Sequence, residues 1–184
     1  FFDRQVSAFA RLEPEHANTR AVIEWAVGHG QNAVVAELFG ALEEVWVAQG
    51  HQREAVGWID AAVAARDEIP VGIAVRALAA TAEIAEVTGD VTRATALYEE
   101  AVARGAANDE VDPFWEAACL VQMSRIALGE GDLERARALA ERSLELRLAR
   151  DLPRARALAW LGEMALREGD LVVAQKFLAD ALSA

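Results

Sequence analysis

Gly131-Asp132-Leu133-Glu134-Arg135-Ala136-Arg137-Ala138-Leu139-Ala140-Glu141-Arg142-Ser143 is the stretch from which the fold can be read. It opens on a pair of residues suited to ending one helix and starting another. Glycine adopts the left-handed backbone conformation that closes a helix, and aspartate accepts backbone N–H groups at the N-cap of the next. Beyond the pair, Leu133, Ala136, Leu139, Ala140, Ser143, Leu144 and Leu148 fall on one stripe at period 3.6. Arg135, Arg137, Glu141, Glu145 and Arg147 fall mainly off it. Such a helix buries one face only.

The same corner recurs along the chain. Gly89-Asp90-Val91 is followed by Ala94, Leu97 and Ala101, and Gly131-Asp132-Leu133 by Ala136, Leu139 and Ser143. Gly169-Asp170-Leu171 is followed by Ala174, Phe177 and Ala181. The offsets from glycine are +5, +8 and +12 each time, and a weaker copy, Gly50-His51-Gln52, precedes Ala55, Trp58 and Ala62. The four glycines lie 39, 42 and 38 residues apart, a period close to forty. Small residues at +5 and +12 let paired helices approach, and the larger residue at +8 fills the gap between them.

Prolines mark the same period for another reason: the first position of a helix tolerates a missing N–H. Pro70, Pro113 and Pro153 each precede a Gly-Asp pair by 16 to 19 residues, and Pro14 opens an earlier helix. The spacing predicts a helix over about 2–12, then helices near 14–28, 31–48, 52–67, 71–88, 91–106, 113–129, 133–150, 153–168 and 171–183. A two-helix unit cannot bury its apolar stripe alone, so neighbours must stack. The expected fold is all-α, a superhelical solenoid of antiparallel helix hairpins. The expected division is N-terminal helices over 1–30 that join a preceding module, then repeats over 31–68, 70–106, 113–150 and 153–184.

Composition agrees. The 184 residues carry 18 Lys+Arg against 30 Asp+Glu, a formal charge of −12, and 54% are hydrophobic. Alanine, the best helix former, supplies 41 residues, and Pro is restricted to four. Nucleic-acid affinity comes largely from Lys and Arg replacing condensed counterions, so a chain this acidic is not expected to bind DNA or RNA directly. Apolar runs are too short to span a membrane; Ile69 to Val75 ends at Arg76. The single cysteine, Cys119, has apolar neighbours and no internal partner, which fits a reducing, cytoplasmic setting. The start at Phe1-Phe2-Asp3-Arg4 without an initiator Met reads as a piece of a longer protein.

The repeat resembles the tetratricopeptide repeat, whose pattern carries Gly or Asp in the interhelix turn, Ala five residues later, an aromatic or Leu near nine and Ala at twelve. Ala159-Trp160-Leu161-Gly162 to Ala165, then Gly169-Asp170, Ala174 and Ala181, fit it best. The units here are about forty residues rather than the family's 34 and lack the proline that closes each unit. In that length they are similar to the superhelical sensor region of MalT-type transcription activators. A second stretch, Glu15-His16-Ala17-Asn18-Thr19-Arg20-Ala21-Val22-Ile23-Glu24-Trp25-Ala26, followed by Trp46, Gly50, Glu54, Trp58 and Ile59, resembles the junction between ATPase module and repeat array in LuxR-type bacterial regulators. The resemblance implies a sensor array that follows an ATPase in a larger signal-transduction protein.

It also implies which side chains meet a partner. In the resembled fold the first helix of each unit lines the concave side, through positions 13, 10, 6, 3 and 2 before the turn glycine. Here those positions include Glu37 and Glu44; Arg76, Glu83 and Glu86; Val121 and Arg125; and Arg156, Glu163 and Arg167. Arg125 and Arg156 are the expected carboxylate- or phosphate-recognising pair, since guanidinium groups bind such oxygens bidentately. Phe114 and Trp115, after the polar loop Asn108-Asp109-Glu110, form an expected exposed aromatic contact.

Chemistry is not expected. His16, His29 and His51 form no zinc spacing such as His-Glu-x-x-His, and His29 and His51 sit beside turn glycines, where solvent-exposed histidines are common. Gly28-His29-Gly30 lacks the preceding strand and the Gly-Lys-Ser/Thr of a phosphate loop. Glu43-Glu44 and Glu99-Glu100 are adjacent on helices and point apart. Trp25, Trp46, Trp58, Trp160 and Phe177 read as core. No metal, cofactor or catalytic residue is expected. The expected function is a non-enzymatic protein- or peptide-recognition domain. The alternatives are a small-molecule effector site in the arc and homo-oligomerisation through the open end near Phe177 and Leu178.

Overall fold

The computed structural model describes residues 12–146 and 152–184, and every regular element among them is helical. A 3-10 turn over Glu13–Glu15 leads into α1 (His16–Gly28) and α2 (Asn32–Gln49). Next come α3 (Gln52–Ala55), a 3-10 turn (Val56–Trp58), α4 (Ile59–Ala64) and α5 (Val71–Val87). The remainder is α6 (Val91–Ala106), α7 (Pro113–Glu130), α8 (Leu133–Glu145), α9 (Leu152–Arg167) and α10 (Leu171–Ser183). The helix expected over 2–12 lies, apart from its last residue, outside the described residues, as do residues 147–150 of the one expected over 133–150.

The corners form as their chemistry dictates. Gly50, Gly89, Gly131 and Gly169 have φ of 82°, 96°, 83° and 82°. Each corner closes with the same two backbone bonds. Asp132 N–H donates to Ala127 O at 2.9 Å and Gly131 N–H to Leu128 O at 3.3 Å; the equivalents of the first run from His51 to Trp46 O, Asp90 to Ala85 O and Asp170 to Ala165 O. This paired arrangement satisfies carbonyls that the helix end would leave open. On the other side of the corner Asp90, Asp132 and Asp170 each accept a backbone N–H three residues on, from Arg93, Arg135 and Val173, at 3.0–3.1 Å. Gly30, with φ 67°, makes a fifth corner of the same kind through Gln31 N–H to Ala26 O.

The small residues at +5 and +12 are buried as their size requires, except Ala181 in the last helix, which is half-buried. Ala55, Ala94, Ala136 and Ala174 are at most 1% exposed, as are Ala62, Ala101 and Ser143. Ser143 and Ser124 also cross-link α7 and α8: Ser124 Oγ donates to Ala136 O at 2.7 Å and Ser143 Oγ to Ala117 O at 3.2 Å. Hydroxyls buried this deeply need such partners.

The chain divides into two compact units, the first ending at Leu97 and the second beginning at Tyr98, inside α6. No break in composition or spacing marks that point in the sequence. In the first unit α2 packs against α5 and α4, and Phe39, Trp46 and Trp58 form a chain of rings with centroids 5.0 and 5.8 Å apart. In the second unit α7 packs on α8 and α9, and α9 on α8 and α10, around Leu161, Met164, Val121 and Leu128.

An ion pair recurs within these packings. Arg93, four residues after Gly89, pairs with Asp60, ten after Gly50, at 2.5 Å; Arg135, four after Gly131, pairs with Glu99, ten after Gly89, at 3.5 Å. The first pair lies in the first unit and the second in the second. Exposed pairs of this kind contribute little energy, at most about 1 kcal/mol. Their value is as a record of register: the same two repeat positions meet each time.

Three expected helices differ from what is seen. The helix expected over 52–67 is broken into α3, a 3-10 turn and α4, because Gly57 lies in its middle and His51 provides no side-chain cap. The helix from Leu133 ends at Glu145, where Leu146 turns to an extended conformation. Pro14 sits in a 3-10 turn rather than opening an α-helix, whereas Pro113 occupies the first turn of α7 behind the N-cap Asp112.

Candidate functional site

The residues expected to line a recognition wall come from the first helix of each hairpin. In the first unit α2 carries Glu37 and Glu44, both exposed, and α5 carries Arg76, Glu83 and Glu86, all half-buried. Arg76 serves packing. Its Nη2 donates to Gly40 O at 2.8 Å, and a Cβ on Gly40 would stand 3.2 Å from Arg76 Cβ. Glycine at position 40 therefore lets α5 approach α2 closely, with the arginine stem filling the groove.

In the second unit α7 carries Val121, which is buried, and Arg125, half-buried with Nε 3.5 Å from Gln122 Oε1. On α9, Arg156 is exposed, and Glu163 pairs with Arg167 at 2.7 Å. Arg167 Nη1 also donates to Leu128 O at 3.0 Å, in the last turn of α7, where carbonyls lack helical partners and a cation meets the negative end of the helix dipole. Of the expected wall arginines, then, Arg76 and Arg167 hold neighbouring helices, Arg125 lies along its own helix beside Gln122, and Arg156 is the exposed one.

Phe114 and Trp115 are half-buried rather than exposed. Their rings meet edge to face, with centroids 5.2 Å apart and planes at 88°. Trp46 and Trp58 are core, and Trp160 and Phe177 pack against the core of the second unit. Trp25 is not core. It is 56% exposed because α1 buries only Ile23 and Ala26, and its ring stacks on His29 at 4.7 Å. At the last helix Phe177 turns inward, Leu178 lies against Gly162, and the exposed apolar residues include Leu171, Val172 and Leu182.

One cluster escaped the sequence reading. His16, at the start of α1, stacks on His51, at the Gly50 corner, with ring centroids 3.6 Å apart and planes at 11°. His16 Nε2 lies 2.9 Å from Glu54 Oε2 in α3, and Arg20 Nη1 donates to Glu54 Oε1 at 3.2 Å. Burial pushes the Glu54 carboxyl upward, but the hydrogen bonds from His16 and Arg20, with the charge of Arg20, outweigh it and hold Glu54 below its ordinary value. His51 is half-buried, not the exposed loop histidine expected, because α1 covers the corner. The sequence held one signal for this: His51 occupies the slot that Asp fills after Gly89, Gly131 and Gly169.

Scanned against models of protein families and compared with curated proteins, the chain matches none. No described helix is long and apolar enough to cross a membrane.

Proposed function

We propose that this chain is a tetratricopeptide-like repeat domain that recognises a protein or peptide without catalysing a reaction. In this reading it is the sensor and scaffold portion of a larger bacterial transcription regulator or signalling ATPase of the LuxR type, working in the cytoplasm. The observation that supports it is the recurrence of one corner, with left-handed glycine, Asp cap and paired backbone bonds, at intervals near forty residues. The repeated +4 to +10 ion pair supports it further, since it is what hairpins stacked in constant register produce. Stacked hairpins present a long, ridged surface suited to a peptide or a protein face.

Arg125 and Arg156 are the proposed anchors on that surface. The test is co-precipitation from cells that carry the parent protein, followed by affinity measurement with the purified partner. The Arg125→Ala, Arg156→Ala double variant is expected to weaken binding by about 1–3 kcal/mol. An unchanged affinity, within about 0.5 kcal/mol, defeats the anchor assignment. A thermal-shift screen of small metabolites runs beside it: a saturable rise in Tm with a metabolite and no protein partner replaces this reading with an effector-binding domain.

A further inference from the structure

We propose that His16, His51 and Glu54 form a binding site for a single transition-metal ion of the zinc class. One ligand atom from each residue lies within 4.8 Å of the others. A tetrahedral ion with bonds of about 2.0–2.1 Å needs donors roughly 3.3 Å apart, so the widest pair must close by roughly 1.5 Å or less. Rotation of an imidazole about its side-chain torsions would have to provide that. His16 Nε2 and Glu54 Oε2, at 2.9 Å, are already within the required spacing. The imidazoles of His16 and His51 are stacked nearly parallel, 3.6 Å apart, so one ring must swing out of the stack for both in-plane lone pairs to meet the same ion.

The donor set selects the ion. Two imidazoles and one carboxylate suit Zn2+, Cu2+ or Ni2+ rather than the hard, oxygen-seeking Ca2+ or Mg2+, and leave a fourth position for water. The surroundings are arranged as metal sites require. Arg20 occupies Glu54 Oε1, so Oε2 is directed at His16 and acts as a single-oxygen ligand. The His16 and Glu54 side chains are 18% and 30% exposed, enough for an ion to enter while competing water is reduced. Binding would replace the hydrogen bond between His16 and Glu54, with neutral His16 presenting its Nε2 lone pair to the ion.

The ligands lie 35 and 38 positions apart along the chain, so the ion would join the start of α1 to the corner after α2. That corner has no side-chain cap, and the following helix extends only from Gln52 to Ala55. A metal there would tie α1 to a corner that has no Asp cap.

The test uses the full 184-residue chain, stripped of metal, titrated with ZnCl2 by calorimetry and melted with and without zinc. Expected are one ion per chain, a Kd in the micromolar range or tighter, a rise in Tm reversed by EDTA, and tetrahedral d–d absorption when Co2+ replaces Zn2+. Glu54→Gln and His51→Ala are each expected to weaken binding by about tenfold or more, while His29→Ala leaves it unchanged. Glu54→Gln keeps the side chain's shape, so it remains informative if His51→Ala does not fold, and far-ultraviolet circular dichroism of the metal-free variants checks this. Absence of saturable binding, affinity unaltered in Glu54→Gln, or a stoichiometry that falls with His29→Ala overturns the proposal.

Discussion

The corners at Gly50 and Gly131 close alike and then diverge. Their glycines have φ of 82° and 83°, and the backbone bond that seals each is 2.8 and 2.9 Å long. After Gly131, Asp132 caps Arg135 N–H and α8 runs unbroken to Glu145. After Gly50, α3 stops at Ala55, and α4 resumes only at Ile59. Stopping a helix and starting one are thus separate local problems. Glycine solves the first in both corners, and only the second corner has the aspartate that solves the other. The Gly50 corner relies on distant partners instead: the stacked His16, the Arg20–Glu54 pair and the contact of Trp46 with Trp58.

The largest test of that difference cuts the chain of rings that reaches the Gly50 corner. Phe39 is fully buried against Trp46, and Phe39→Ala is expected to cost about 3–5 kcal/mol through lost burial and the cavity left behind. Urea unfolding followed by tryptophan fluorescence measures it; a loss below about 1 kcal/mol shows that the ring chain does not hold the first unit.

The shared half of the comparison is tested by alanine at both glycines. Gly50→Ala and Gly131→Ala are each expected to destabilise by about 1–2 kcal/mol, since both force a side chain into the left-handed region. No neighbour lies within 4 Å of a Cβ at either site, so the cost is conformational and should be similar. Markedly unequal losses break the claim that the two corners close by the same means.

Capping gives a smaller effect. Asp132→Ala is expected to lose about 1 kcal/mol, with Asp132→Asn retaining most of it. Thermal unfolding of the three proteins side by side ranks them. Smallest is a repair: Gly57 has no positive φ, and no neighbour lies within 4 Å of where its Cβ would stand, so Gly57→Ala should gain about 0.5–1 kcal/mol. A rise in helical circular dichroism should accompany it as α3 and α4 merge. No gain in helicity indicates that tertiary packing, not Gly57, imposes the break.

Much of this is legible in the sequence alone. The Gly-Asp pairs announce where helices end and begin, and Ala136, Leu139 and Ser143 announce which face is buried. What is illegible shares one property: it joins residues about a repeat apart. Arg76 finds Gly40 O across 36 positions, Arg167 finds Leu128 O across 39, and His16 finds Glu54 across 38. Spacing within one helix says nothing of such meetings, and so Arg76 and Arg167 read as available to a partner when they hold adjoining helices. His16 and His51 likewise read as unrelated.

The chain's own order of residues determined its helices, their corners and their buried stripes, because capping, left-handed closure and period 3.6 act over a few bonds. Which arginines are consumed in packing, and that two histidines and a glutamate converge, were decided only when the helices packed. Those outcomes depend on the distance and rotation between helix axes, and these follow from the sum of many side-chain contacts rather than from any short run of sequence.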